Sequence, residues 1–435
     1  MPNMQEDVLA PDFSCEPYWT DGLAPFASSD PATRTPLDVA VIGAGYAGLS
    51  AALTLAGAGA AVAVFEARNI GDGASSRSAG SLGHVLKASL PDLRARYGDA
   101  VARRIYAEAI LAREFVERLV RDHQIACGLR RSGRFIAAHS AHAFDRLQRL
   151  LPDLRDSWGD VELMPRARQR SEIGSDAFFG GIRLASVAAL QPALLHRGLA
   201  RAAQQAGAAV LQQAAVTDIR RRDAGFEVIT QAGRFAARQV VIATNAETAR
   251  YPAVFRALRR RMTVMPAYAL ATEPIAPDRL ARILPSRAPV SDTCKILHYM
   301  APNEDQTRLI MSARAGRSDG GLHAKARRIF AFFAERFADL RGIRVTHCWT
   351  GRFALTGDWV PHIGVQDGLH YVLGCCGTGI PMATYLGHRL ARKLLGAEEA
   401  PTVFDRPLPA IPVWRASPLL LPLAVRAYAL RDRLR

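Results

Sequence analysis

DVAVIGAGYAGLSAALTLAGAGAAVAVFEA, residues 38–67, holds the most informative spacing in the chain. Val39–Ile42 is a short apolar, partly β-branched run of the kind that forms a buried strand. Gly43, Gly45 and Gly48 follow as G-x-G-x-x-G, with Ala44, Tyr46 and Ala47 between them. An Ala/Leu-rich helix then runs to Gly57 and Gly59, and a second apolar strand, Ala61–Phe65, ends in Glu66. Gly43 makes the tight turn, Gly45 lets backbone approach a pyrophosphate, and Gly48 lets the helix pack closely on the strand. The helix N-terminus offers amides and the positive end of its dipole to phosphates. Glu66 stands 23 residues after Gly43, where a carboxylate accepts from ribose hydroxyls and disfavours a 2′-phosphate. A lone G-x-G-x-x-G says little. One set between two strands, with an acid ending the second, specifies an adenine dinucleotide, FAD or NAD rather than NADP.

The 435 residues suffice for roughly two or three domains around large cores. Hydrophobic residues at 49% and charged residues at 22% read as globular. Lys and Arg number 56 against 40 Asp and Glu. These cations are spread along the chain, which describes solvated basic faces better than a nucleic-acid footprint. The start, MPNMQEDVLAPDFSCEP, has neither a basic n-region nor an apolar h-region, so a cytoplasmic protein is expected. No uninterrupted apolar run reaches the roughly 18 residues of a membrane span. The six cysteines, at 15, 127, 294, 348, 375 and 376, match no CxxC or Cys/His metal spacing. They are expected to be reduced thiols, and no metal is expected.

Downstream, Asn69–Ser81 (NIGDGASSRSAGS) is a loop of small residues able to wrap an extended ligand closely, with Arg77 placed to face a pyrophosphate or a flavin ring. A helical stretch covers 91–125. Gln191–Gly207 reads as a helix with Pro192 in its first turn. A strand Ala208–Gln212, a segment Ala214–Arg220, ribbon strands Phe226–Thr230 and Arg234–Ala237, and a strand Gln239–Ala243 ending in TNAET follow. Late in the chain, LGCCGTGIPM (373–382) joins a strand Leu369–Leu373 to a helix over about Pro381–Leu395. It lacks the G-K-[ST] of a P-loop. Adjacent cysteines make a poor zinc knuckle and a strained disulfide. What remains is a helix N-terminus with glycines beneath it, a source of amides for developing negative charge.

The chain resembles the FAD-dependent oxidoreductases of the D-amino-acid oxidase, glycine oxidase and sarcosine oxidase family, most of all its γ-glutamylputrescine-oxidase-like members. The resemblance rests on EPYWTD (16–21), VIGAGYAGLSAA (41–52), GDGASSRSAG (71–80), LQPALLHRGLARAA (190–203), VVIATNAET (240–248) and PHIG…GCCGTGI (361–380). It implies a glutathione-reductase-type, Rossmann-like α/β domain that binds FAD, with a discontinuous α+β substrate domain on a mostly antiparallel sheet. The implied division is an arm at 1–36; an FAD domain at 37–90, 181–250 and 346–400; a helical segment and substrate domain at 91–180 and 251–345; and a tail at 401–435. The family loop usually reads A-S-G-R-N-G-G. Here Ala74, Ser75, Ser76, Arg77, Ser78, Ala79 and Gly80 keep the arginine but not the asparagine. The resemblance gives cofactor contacts to Ala74, Ser75, Ser76, Arg77, Gly80, Ser81, Val216, Ala243, Thr244 and Asn245. It also gives Gly377, Thr378, Gly379 and Ile380 the reduced flavin's charge, with Cys375 and Cys376 packed below. FAD is expected to be non-covalent, with attachment through Cys348 the alternative.

On the substrate side, Phe135–His139 and paired strands at Leu297–Met300 and Leu309–Arg314, about a turn Pro302–Thr307, are expected in a domain mostly spanning 251–345. A helix at about 322–338 precedes Val345–Phe353. Amino-acid oxidases of the family clamp the substrate carboxylate with the arginine of W/Y-x-G-x-R-P. Here Trp349, Thr350, Gly351, Arg352 and Phe353 place it one residue early, which in a strand turns it to the opposite face. Arg352 is either a structural ion-pair partner or a ligand contact. Tyr299, Trp349 and Arg352 are the catalytic candidates, with His298, Phe353, Trp359 and His362 as further pocket residues. The implied activity is oxidation of an amine or amino acid, a γ-glutamylputrescine-like amine favoured. A neutral amine loses a hydride equivalent, the imine hydrolyses, and O2 or another acceptor takes the electrons. Alternatives are a glycine/sarcosine-type amino-acid oxidase and a tRNA wobble-base modification enzyme. The tail 412–435 is read as docked on the body, with an interfacial membrane helix as the alternative.

Overall fold

A computed structural model describes residues 8–30, 36–250, 255–314, 320–397 and 401–411. The tail 412–435 lies outside the described residues. Two sheets organise the chain. The smaller has eight strands. Its central strand, Leu37–Ile42, runs parallel to Val62–Phe65 on one side and to Gly233–Ile242 on the other. Ala209–Leu211 extends it beyond Val62–Phe65, and Leu369–Leu373 pairs parallel with Gly233–Ile242. The helices Tyr46–Gly57, Pro192–Gln205 and Gly379–Leu394 cover one face. This is the Rossmann-like layer that the glycine spacing specifies.

Local chemistry explains most boundaries. Gln191 caps the second helix, its side chain accepting from the Leu194 amide at 2.7 Å. The 91–125 stretch divides into Leu90–Tyr97 and Asp99–Asp122 because Gly98, at φ 81°, turns the chain between them. Ribbon strand 234–237 and strand 239–243 are one continuous strand, Gly233–Ile242, whose outer half pairs with Gly225–Thr230 and whose inner half enters the parallel layer.

The larger sheet has nine strands and is mostly antiparallel. Strand Leu9–Ser14 joins it at the edge of Val345–Leu355, so the arm contributes a strand rather than standing apart. Gly181–Leu184 and Val345–Leu355, assigned from sequence to the cofactor domain, also belong to this sheet. The expected turn about 302–307 joins His298–Pro302 to Leu309–Arg314. The expected helix at 322–338 ends earlier, at Ala334.

Register across the larger sheet sorts its side chains. Cys348, Leu270, Met311, Met300, Val290 and Phe135 are successive cross-strand partners, packed with Ile329, Phe330 and Phe333 around helix Leu322–Ala334. The neighbouring row is Trp349, Ala269, Ser312, Tyr299, Ser291 and Ile136. Side chains one residue apart on a strand point to opposite faces, so this second row faces the smaller sheet and its loops. Segment 401–411 docks on the body: Phe404 is buried, and the Val403 amide donates to the Glu108 carboxylate at 2.7 Å. Among the described residues, no helix is long and apolar enough to cross a membrane.

Helices Tyr46–Gly57 and Gly379–Leu394 pack against each other at Gly387, where an added Cβ would lie 2.1 Å from the Ala47 carbonyl oxygen. Gly387→Val is expected to destabilise the protein by about 1–3 kcal/mol through overpacking, read as a lower denaturant midpoint.

Candidate active site

The first cradle lies at the end of strand Leu37–Ile42. Gly43 has φ 99°, a left-handed conformation that costs glycine little. A Cβ on Gly48 would sit 2.0 Å from the Gly43 carbonyl oxygen, so only glycine permits this approach of helix to strand. The Glu66 carboxylate accepts from the Ala44 amide at 3.1 Å and from Arg68 at 3.1 Å, and burial raises its pKa. Ser75 Oγ accepts from the Tyr46 amide at 3.2 Å, tying the small-residue loop to the helix start.

Beneath the turn, His196 Nε2 lies 2.6 Å from the Ala44 carbonyl oxygen and Nδ1 lies 3.2 Å from Ser76 Oγ. Burial lowers the His196 pKa to about 4, so the ring is neutral at physiological pH, with Nε2–H donating to Ala44. Ser76 therefore points inward instead of toward a ligand. Tyr46 also turns inward, its hydroxyl donating to the Pro192 carbonyl at 2.9 Å. Val216, expected at the cofactor, has its side chain in the core.

Two indoles hold the middle of the loop. Trp349 Nε1 donates to the Arg77 carbonyl at 3.0 Å, and Trp19 Nε1 donates to Ser78 at 2.8 Å. Their rings meet edge to face at 6.4 Å. Arg77 Nε donates to the Asp72 carbonyl at 3.1 Å, and a Cβ on Gly351 would be 3.4 Å from Arg77 Cβ. Farther along, Gly80 and Leu190 hydrogen-bond, and Ser81 pairs with Ala189.

The second helix N-terminus completes the groove. Asn245, at φ 41°, accepts from the Gly374 amide at 3.0 Å and from Cys375 at 3.4 Å. Ala243 leads into this turn, and Thr244 hydrogen-bonds Thr248 at 2.7 Å. Cys376 is buried against Thr356, its thiol pushed up to about 12 by burial; burial also raises the Cys375 thiol. Both are neutral packing groups. Helix geometry leaves the Gly379 and Ile380 amides without intrahelical carbonyl partners. Thr378 does not cap them, since its hydroxyl reaches toward the Val85 carbonyl at 3.5 Å. Gly377 is exposed beside them.

The substrate-side candidates separate. Trp349 has no exposed surface and acts on the loop through Arg77. Arg352 lies 3.7 Å from the Glu247 carboxylate, one residue out of phase with Gly351. Tyr299 sits in the inward-facing row, 4% exposed, its hydroxyl pushed up to about 12 by burial. Phe353 is half-buried, and Trp359 is exposed with Lys87 5.2 Å from its ring. His298 lies on the outer side, stacked on Phe332 at 3.4 Å, and His362 is buried 3.0 Å from Asp358; neither joins the pocket. Asp292, Cys294 and His298 bring possible ligand atoms within 4.8 Å of one another. The Asp292 carboxylate there already accepts from the Cys294 and His298 amides and pairs with the His298 ring. Sequence reasoning missed Trp19 and His196 as organisers, although both lie inside quoted motifs.

A family model described as FAD dependent oxidoreductase matches residues 38–393. The chain belongs to that family. It is an FAD-dependent oxidoreductase, and the two cradles fit FAD: glycine-permitted backbone approach and an acid at one end, open helix amides at the other. This family member is 29% identical to gamma-glutamylputrescine oxidoreductase of Escherichia coli (strain K12) over 406 residues, covering 91% of this chain and 93% of that one. It is also 29% identical over 216 residues to glycine oxidase of Geobacillus kaustophilus (strain HTA426), 49% of this chain and 55% of that one. The crystal structure of glycine oxidase from Geobacillus kaustophilus superposes with a TM-score of 0.70 at 24% identity, over 86% of this chain and 99% of that one. L-Proline dehydrogenase from P. horikoshii superposes at 0.68 with 18% identity, over 88% and 97%. At these identities the superpositions show the fold alone.

Neutral His196 carries a pH signature. Its pKa is depressed in the fold, so the unfolded chain binds the extra proton, and stability falls as pH drops from about 6.5 toward about 4. The loss from this residue is expected to reach about 3 kcal/mol. His196→Gln should flatten that slope in denaturant titrations at pH 7, 5.5 and 4.5.

Proposed function

We propose that this oxidoreductase acts on the C–N bond of an amine whose oxidised carbon carries no carboxylate, a γ-glutamylputrescine-like amine, giving an imine that hydrolyses to an aldehyde. The observation that carries the reading is the Arg352–Glu247 pair at 3.7 Å. The arginine that stands nearest the family's carboxylate clamp is already matched by an acid, and Phe353 takes the next position. Similarity to gamma-glutamylputrescine oxidoreductase along nearly the whole chain supports it.

Bound FAD supplies the two-electron oxidation. The protein's part is positioning and charge stabilisation. The Gly379 and Ile380 amides would hold negative charge without an ionised side chain. Arg77, fixed by Asp72 and the two indoles, would hold the loop against the cofactor. Tyr299, with its hydroxyl pKa raised to about 12, stays protonated and serves as a hydrogen-bond donor. The amine would bind neutral, so activity should rise with pH through the substrate's own ionisation.

Non-covalent FAD is part of the proposal. Cys348 is fully buried in the row under helix Leu322–Ala334, opposite to Trp349, and burial pushes its thiol up to about 12. Acid precipitation is expected to release all the flavin into the supernatant, and Cys348→Ser should purify with the same flavin content. Yellow material in the pellet of the wild type, absent from that of the variant, would refute this.

The activity test is anaerobic bleaching of the visible flavin spectrum, followed by admission of oxygen. γ-Glutamylputrescine and related primary amines are expected to reduce the enzyme at least ~10-fold faster than glycine or sarcosine, the gap that a missing carboxylate clamp would leave. Faster reduction by glycine or sarcosine would favour the glycine-oxidase-type reading instead. Recovery of the spectrum in air would identify O2 as an acceptor; a spectrum that stays bleached would require another.

A further inference from the structure

One group of inward-facing charges, at Arg130 and Arg134, lacks acidic partners among the described residues. Arg134 opens strand Arg134–Ala137 and directs Nε and Nη2 at Ser291 Oγ, at 3.2 and 2.7 Å. Its guanidinium lies 5.7 Å from the Tyr299 ring centroid. Arg130 donates through Nη1 to the Glu304 carbonyl at 3.5 Å, while its Nε and Nη2 are buried without partners. The Tyr299 hydroxyl lies beside Ser81 of the small-residue loop without completing a hydrogen bond.

Two other arginines set into the body are neutralised: Arg113 by Glu117 at 2.9 Å, Arg183 by Glu172 at 2.8 Å. Arg130 and Arg134 form no ion pair with a carboxylate among the described residues. Glu304 lines a small cleft with Arg130 and Gly80, but pairs with neither arginine. A guanidinium withdrawn from water without a counter-charge is costly. Both arginines are only partly exposed as whole residues. Register puts Ser291 and Tyr299 in the same row as Trp349, which holds the Arg77 carbonyl. The charges therefore open toward loop 77–81. The unpartnered Nε and Nη2 of Arg130 offer a planar fork of N–H donors near a phenol, which matches a carboxylate, and Arg134 adds positive charge beside it.

We propose that Arg134, Arg130 and Tyr299 form a carboxylate-binding subsite that holds the far end of the substrate, a carboxylate remote from the amine being oxidised. This rests on the amine reading for its substrate class, and not on Arg352. The substrate is then an amine bearing an acid group several bonds away, such as a γ-glutamyl amine or an ω-amino acid.

The test uses holoenzyme and two readouts. Calorimetric titration with glutarate, a probe with no amine to oxidise, should give saturable binding to the wild type. Arg134→Gln is expected to weaken it at least ~10-fold, Tyr299→Phe by roughly 3–10-fold, and Arg134→Lys by an intermediate factor. In steady-state assays of the two Arg134 variants, KM for γ-glutamylputrescine should rise by the same factors, while KM for putrescine changes little. Absence of glutarate binding to the wild type, equal binding by all variants, or parallel KM changes for both amines would overturn the proposal. If Arg134→Gln loses its flavin or its fold, Arg134→Lys and Tyr299→Phe decide the question. Glutarate binding that depends on Arg134 in an enzyme no amine reduces would leave the subsite standing and remove the amine reading. Amine turnover with unchanged glutarate binding would do the reverse.

Discussion

At Gly48 and Gly387 a backbone carbonyl occupies the space where a side chain would begin. An added Cβ would lie 2.0 Å from the Gly43 oxygen in the first case and 2.1 Å from the Ala47 oxygen in the second. These contacts press helix Tyr46–Gly57 onto its strand and helix Gly379–Leu394 onto that helix. Two N-termini, more than 300 residues apart in sequence, are brought to one groove. Helix starts carry unpaired amides and a positive dipole end. Their convergence would let one chain grip a dinucleotide at one end and steady developing negative charge at the other, as the proposed function requires.

The loop between these ends is held by neutral groups. Indole N–H groups of Trp19 and Trp349 take the Ser78 and Arg77 carbonyls, and a neutral imidazole takes the Ala44 carbonyl. A charged donor at any of these points would compete for a phosphate or for a redox-active ring. Trp19 comes from the N-terminal arm and Trp349 from the larger sheet, so the loop's shape depends on docking between the two halves of the molecule.

The larger sheet separates its chemistry by face. One row, from Cys348 to Phe135, is apolar and packs with the outer helix. The adjacent row carries Trp349, Ser312, Tyr299 and Ser291, with Arg134 close by, and faces the loop. The one-residue offset of Arg352 has its effect here. The arginine meets Glu247 beside the groove, and the uncompensated positive charge lies instead several strands away, at Arg134 and Arg130.

The glycine spacing, the acid at the second strand's end and the apolar runs around them determined the Rossmann-like layer, because strand–turn–helix geometry is local and glycine is the residue it cannot replace. The same locality made the helix start at Gly379–Ile380 readable from LGCCGTGIPM. Ser76, Val216, Trp349, His298 and His362 resisted such reading. Whether a polar or aromatic side chain meets ligand or core depends on strand register and on partners up to hundreds of residues distant. His196 illustrates this: in sequence it is one histidine on an apolar helix, and only packing under Ala44 makes it a neutral support for the glycine turn. The division of Gly233–Ile242 between two pairings, the strand contributed by the arm and the unpaired state of Arg130 and Arg134 were likewise set by tertiary structure, since each is a relation between segments and belongs to no single one.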